Sequence, residues 1–256
     1  MSRHTTVSVL ALSIASLASA HIGYSGRDFG TITDTVKTIS NQTVSSSFGW
    51  ADATDADWGD SHRGRFFRFR LEATTTIQIT AQRNSLGSGT QGTFLPAFSL
   101  FAGLGQLSPE NAGHDSAELS IASRPAGTEG STRALADWSI GNDAKLDSSG
   151  NVSIAARLAY FTYIGHAADG TSANYGLAAG ILGDGVADGF VTGTFVNLAA
   201  GDYSIWVAGA NYTAQTVEGP STFPTYGVTV SVGAVPAPGA VALLGVAGFL
   251  GRRRRA

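Results

Sequence analysis

Four carboxylates fall within nine residues at Asp52, Asp55, Asp57 and Asp60, in a stretch that opens on Trp50 and also holds Trp58. Hard oxygen ligands at that density suit calcium, which gathers about six to eight oxygens from carboxylates, carbonyls and water. The spacing is not that of an EF-hand: Gly59 falls at the fifth position counted from Asp55, and Phe66 stands where a bidentate glutamate belongs. The same aspartates can instead close Asx turns and cap strand ends in a solvated loop. Both uses remain open from sequence. A second acidic stretch, Gly183-Asp184-Gly185-Val186-Ala187-Asp188-Gly189 with Asp169 upstream, is accounted for more simply by turn chemistry than by a metal.

Catalytic chemistry finds little footing. His62, His114 and His166 lie in loop-like sequence without His-x-His or His-Glu-x-x-His spacing, so a shared metal site is not indicated. There is no cysteine to supply a thiolate and no Gly-x-Ser-x-Gly elbow to present a serine. Carboxylates are numerous enough for an acid–base pair, but nothing singles out two. Trp50, Trp58, Trp138 and Trp206 can form a sugar-stacking platform only where they are exposed, and Trp50 and Trp58 are the two in loop context. The expectation is a protein that is not an enzyme.

The charge balance narrows the partners. Between residues 21 and 234 lie nine arginines and two lysines against all nineteen acidic residues, which leaves this body at −8. Such a body is a poor match for nucleic acid. Lacking cysteine, it must be held together by packing, with bound calcium as a possible addition. Glycine is abundant, at 33 of 256 residues, and Ser and Thr crowd between apolar runs, a pattern of short strands and turns.

The elements that must position these residues read as strands. Phe29 to Ser47 supplies one or two. Phe67, Phe69 and Leu71 alternate with Arg68 and Arg70, and Ile77, Ile79 and Ala81 alternate with Gln78 and Thr80. With Glu72-Ala73 between them, these two runs read as a hairpin. Phe98 and Leu100 mark another strand, Leu135 to Ile140 a short one around Trp138, and Val152 to Gly165 one covered on both sides. Residues 103–130 read as a long surface excursion and 167–189 as loop. Phe190–Leu198, Tyr203–Gly209 and Tyr226–Gly233 complete about eight to ten strands, an all-β antiparallel sandwich with long loops and no helix between residues 21 and 234.

The two ends carry a different chemistry. Met1 to Ala20 has a weakly basic start, an apolar Val7–Leu17 run and the small-residue exit Ala18-Ser19-Ala20, the pattern of a secretory signal helix removed by signal peptidase. At the other end, Val235-Pro236-Ala237-Pro238 holds an extended segment, because neither proline can continue a helix or a central strand. Residues 239–251 carry no charge, and as a helix they would span roughly 20 Å, short of the roughly 30 Å of a bilayer core. Arg252, Arg253, Arg254 and Arg255 then form a basic stop that stays cytoplasmic, which places the body outside.

In its order of parts, this tail resembles the PEP-CTERM sorting signal of Gram-negative bacteria: a Val-Pro-Glu-Pro motif, a short Leu/Gly/Ala-rich span and a terminal arginine cluster. Val235, Pro236 and Pro238 match, while Ala237 replaces the usual glutamate. The resemblance implies cleavage by the membrane protease exosortase after a transient stay in the inner membrane, then surface or extracellular residence with exopolysaccharide or biofilm. The body, through Arg65–Leu71, Thr76–Thr80, Ala200–Val207 and Tyr226–Val230, is similar to bacterial pre-peptidase C-terminal (PPC-like) modules, which are non-catalytic jelly-roll-type sandwiches. The expected organisation is a signal peptide at 1–20, an exported sandwich at 21–234 and a sorting signal at 235–256. A calcium-dependent glycan-binding module and, further off, a secreted hydrolase are the rival functions.

Overall fold

A computed structural model of the chain describes residues 23–51, 58–60, 63–104, 131–140, 159–176, 179–214 and 224–235. Within them the sequence forms strands wherever Val, Ile, Phe and Thr recur at period two. They are β1 (Asp28–Thr31), β2 (Lys37–Ser45), β3 (Trp58–Asp60), β4 (Arg65–Leu71), β5 (Thr75–Gly87), β6 (Pro96–Ala102), β7 (Ser131–Arg133), β8 (Trp138–Ile140), β9 (Ala159–Ala168), β10 (Phe190–Leu198), β11 (Gly201–Gly209) and β12 (Thr225–Ala234). Among the described residues the only helical pieces are single 3₁₀ turns at Gln91–Thr93 and Tyr212–Ala214.

Two sheets face each other. One has six strands in the order β1-β4-β11-β6-β9-β8, the other four in the order β10-β5-β12-β2, and β3 and β7 make a separate ribbon. Among the described strands all strand pairings are antiparallel except β1 with β4, and two isolated bridges, Gly49 with Gly209 and Ala168 with Gly183, are parallel. The core between the sheets takes Phe67, Phe69 and Leu71 from β4 and Ile205 and Val207 from β11 on one side. Ile77 and Ile79 from β5 and Val228, Val230 and Val232 from β12 meet them from the other. The all-β sandwich expected from sequence is therefore present. The 105–130 excursion, and the terminal segments expected to be a signal helix and a short transmembrane helix, lie outside the described residues.

The expected β4–β5 hairpin is not. β4 pairs with β1 and β11, and β5 pairs with β10 and β12, so the Glu72–Thr74 connection crosses from one sheet to the other. Alternation was read correctly, but it fixes only which side chains go inward. Two runs that each bury a complete apolar face can oppose each other across a core as readily as they can pair edge to edge. The β10–β11 connection repeats the arch: β10 lies beside β5 and β11 beside β4, so the two crossings stack. Tyr203 clasps the second arch by donating its hydroxyl to the Ala199 carbonyl at 2.6 Å.

Candidate functional site

Polar groups gather on the outer face of the six-stranded sheet, away from the main core. β6 and β11 are buried on both sides there, so their residues of opposite parity need a second cover. Trp206, Phe66, Phe101 and Phe161 project from this face, and Trp50, Ala134 and Tyr175 close over them from the connecting loops. Phe66 stacks on Trp206 with ring centroids 6.1 Å apart. The fit leaves no space: a Cβ at Gly59 would stand 2.0 Å from Trp206 Cη2, and one at Gly64 2.2 Å from its Nε1. The Trp206 indole N–H is left buried without a hydrogen-bond partner, a cost of about 1–3 kcal/mol against tight packing.

Trp50 shows why its loop context misled. It exposes no surface, its Nε1 donates to Ser99 Oγ at 3.0 Å, and Ser99 in turn donates to the Ala134 carbonyl at 2.6 Å. It therefore offers no face to a sugar, and Trp206 is equally closed. Beside Trp50 lies His166, with ring centroids 5.5 Å apart. A register shift in the β6–β9 pairing, between the partners of Leu100 and Phe101, brings Tyr163 and His166 onto one face. His166 Nε2 accepts the Leu182 N–H at 3.0 Å, so its proton sits on Nδ1 and is donated to Tyr163 Oη at 2.5 Å. Burial lowers the imidazole's pKa and pushes the Tyr163 phenol up to about 12. With both ring nitrogens engaged, His166 serves as a structural strut. Gly165, a glycine inside a strand pattern, was the one sequence signal of the bulge that creates it.

Each acidic loop resolves in its own way. Asp60 lies in β3, where its Oδ2 meets Arg63 Nε at 2.9 Å, and the Arg63 guanidinium stacks 4.4 Å from the centre of the Phe48 ring. One carboxylate oxygen of the expected calcium set is thus already paired with a cation. Asp52, Asp55, Asp57, His62 and His114 lie outside the described residues, as do Ala18, Ala20, Pro236, Ala237, Pro238 and the arginine cluster. In the second loop the aspartates organise backbone. Asp169 is buried and accepts N–H groups from Asp188 at 3.0 Å and Gly189 at 2.6 Å. Asp184 accepts from Gly170 and Val186, and Asp188 from Phe190. Burial raises the Asp169 carboxyl to about 6, against the two N–H bonds that oppose the shift, with the charges of Asp184 and Asp188 adding to it. Among the described residues no group of three or more His, Asp or Glu side chains is placed to hold a metal ion.

Two cavities are also built from committed groups. One of about 190 Å3 is bordered by Asp28, Arg68, Arg70 and Asp202; its charges pair within the protein, Arg68 with Asp28 and Arg70 with Asp202. The other, about 430 Å3, is lined by Ser88, Thr90, Asn211 and Tyr226 among others. Asn211 there donates to the Thr93 carbonyl and accepts from Thr213 Oγ1. The outer face of the four-stranded sheet is different in kind: its outward side chains are mostly hydroxyls and amides, with the exposed Phe190 and Val196 on the β10 edge.

No family model matches the chain, and no curated protein matches it. Among solved structures it is similar to CorA, described as a surface-associated copper-binding protein important in Methylomicrobium album BG8 copper acquisition, at 17% identity and a TM-score of 0.50 over 81% of this chain and 98% of that one. A second similarity is to the Methylococcus capsulatus secreted protein MopE, described as binding copper with the help of an oxidized tryptophan, at 16% identity and a TM-score of 0.42 over 82% of this chain and 87% of that one. At this identity the first likeness establishes a shared sandwich fold.

Proposed function

We propose that this chain is an exported, non-enzymatic protein of a Gram-negative cell surface or extracellular matrix, delivered by its leader and sorted by its C-terminal tail. The observation that carries the reading is the order of parts in the tail, Val235-Pro236-Ala237-Pro238, the uncharged run 239–251 and then Arg252–Arg255, directly after the last described strand. β12 ends at Ala234, and Val235, partly exposed, donates its N–H to the Thr76 carbonyl at 2.8 Å. The Val-Pro-Ala-Pro motif thus starts at the residue that follows β12. A protease acting after Val235 would leave every described strand of the sandwich whole. The polar groups of the covered face also support a structural body, since Ser99, Tyr163, His166 and Asp169 are each tied to a neighbour. Intact mass of the protein recovered from the producing cell's surface fraction tests the reading. Loss of residues 1–20 and of everything after about Val235 is expected, and a mass that retains Arg252–Arg255 overturns the sorting.

A second reading is metal capture at the surface, favoured by the shared fold with a copper-binding surface protein and by the carboxylates of Asp52, Asp55, Asp57 and Asp60. Oxygen ligands alone suit calcium, whereas copper(II) calls for imidazole nitrogen, for which His62 is the neighbouring source. Calorimetric titration of the full chain with Ca²⁺ and with Cu²⁺ separates the two. Absence of heat with either ion, together with an unchanged melting temperature, removes this reading.

A further inference from the structure

We propose that the outer face of the four-stranded sheet is a docking surface for a neutral polysaccharide; the inference rests on reading the protein as a non-enzymatic matrix component. Strand register makes this face a lattice of hydroxyls and amides. Thr192 lies opposite Thr80, Thr80 opposite Ser231, and Ser231 opposite Thr38, one hydroxyl on each of the four strands in a single row. Within the row the hydroxyls are set in pairs, Thr80 with Thr192 at 3.1 Å and Thr38 with Ser231 at 2.8 Å. Each pair fixes rotamers while leaving further lone pairs and a proton to offer outward. The flanking rows hold Gln78 and Gln82, exposed amides without a side-chain hydrogen bond to any described residue, with the exposed Phe190 at the β10 edge opposite Gln82. Val36, also exposed, lies over Gly233, where an added Cβ would stand 2.7 Å from Val36 Cγ2.

The chemistry of this face selects its occupant. None of the outward positions of these strands carries a charge; Lys37 turns away to the Phe29 and Thr31 carbonyls. A polyanion would meet no cation here and would be repelled by a body at −8. A protein partner would need buried aromatic or arginine anchors at the centre of the patch, where this surface presents serine, threonine and glutamine. A polymer of neutral sugars asks for what is present: hydroxyl and amide partners repeating at roughly 4.8 Å across strands and roughly 6.7 Å along them, with small apolar patches for C–H faces.

The test is pull-down of the full chain, kept in mild detergent, on cellulose, an insoluble β-1,3-glucan and cross-linked dextran, with carboxymethyl dextran as the anionic match. Retention on at least one neutral glucan and none on the carboxymethyl form is expected. The paired substitution Gln78→Glu and Gln82→Glu, nearly isosteric and on exposed amides, should weaken retention at least five-fold with an unchanged melting temperature. Thr80→Lys should weaken it at least ten-fold, and Thr33→Lys in an exposed loop should not. Failure to bind any neutral glucan, or equal binding by the paired variant, overturns the proposal. So does a dimer of the unsubstituted chain that the paired variant dissolves, which would assign the face to a second copy. Export and sorting are read separately, by mass, so either reading can fall without the other.

Discussion

The outer faces of the two sheets answer the same problem in opposite ways. On the six-stranded sheet the outward residues are Phe66, Phe101, Phe161 and Trp206, and loops carrying Trp50 and Tyr175 fold back to cover them. On the four-stranded sheet they are mostly Thr, Ser, Gln and Gly, with Phe190 and Val196 at the β10 edge, and the described layer over them amounts to Val36 at Gly233. The cause is visible strand by strand. β6 and β11 are apolar at both parities, so each needs a cover on two sides; β5 and β10 alternate, so one cover suffices. A protein that builds a second layer on one face only has a bare face left to meet its surroundings.

The sharpest way to break this comparison is to cut one residue from each face. Trp206→Ala empties a closed site and should cost about 3–5 kcal/mol in denaturant unfolding. Thr80→Ala, at an outward position of the bare face, should stay within about 0.5 kcal/mol. Equal losses at the two positions would mean that the bare face is covered after all.

How much of this could be seen in the sequence depends on what periodicity encodes. The strands emerged because burial imposes a two-residue period; of the run Val152–Gly165, expected to be covered on both sides, residues 152–158 lie outside the described residues, and in β9 Phe161 is buried on the outer side while Thr162 is exposed. Pairing was not legible, because Phe67-Arg68-Phe69 specifies a face and leaves the neighbour unspecified; hence the hairpin that proved to be an arch. The burial of Trp50 was not legible either, because its sequence neighbours are Gly, Ala and Asp and its partner Ser99 lies 49 residues away. The bare face was hidden for a related reason: Thr38, Thr80, Thr192 and Ser231 are unremarkable one at a time and become a row only when four distant strands align. At the second acidic loop, by contrast, turn chemistry was the simpler reading, and Asp184 and Asp188 each accept an N–H two residues on.

Two titrating groups beside the covered face, the buried Asp169 and the half-buried His166, sharpen the comparison, because the outward positions of the bare face carry none. Asp169 has a folded pKa of about 6 against an ordinary value of 3.8. Between those values the folded chain holds a proton that the unfolded chain has released, so stability falls as pH rises through that window. Asp169→Asn removes this dependence. On the order of 2 kcal/mol of the difference between variant and parent should shift in the variant's favour from pH 4 to pH 7, read from unfolding midpoints. His166 works in the opposite sense. Its folded pKa is lowered by burial, so its contribution is present above the unfolded value of 6.5 and is lost as pH falls below it. His166→Gln should cost about 1 kcal/mol at pH 7.5, for the Tyr163 and Leu182 hydrogen bonds, and the loss should shrink toward pH 5.

The smallest expected effect lies at the rim of the covered face. There Arg68 Nε holds Asp28 Oδ2 at 2.7 Å, and the Arg68 guanidinium sits 5.6 Å from the centre of the Tyr24 ring. Burial pulls the Asp28 carboxyl upward, but the Arg68 and Gly30 hydrogen bonds and the Arg68 charge outweigh it and hold the pKa below 3.8. Its contribution is therefore complete above the ordinary carboxylate range and lost as pH falls through the depressed folded value. Both side chains are more than a third exposed, so solvent screens the pair and Asp28→Asn should cost only about 0.5 kcal/mol. High salt should erase most of that. A loss several times larger, unmoved by salt, would mean that Asp28 and Arg68 belong to the closed layer, and that the cover over the six-stranded sheet reaches its β1 edge.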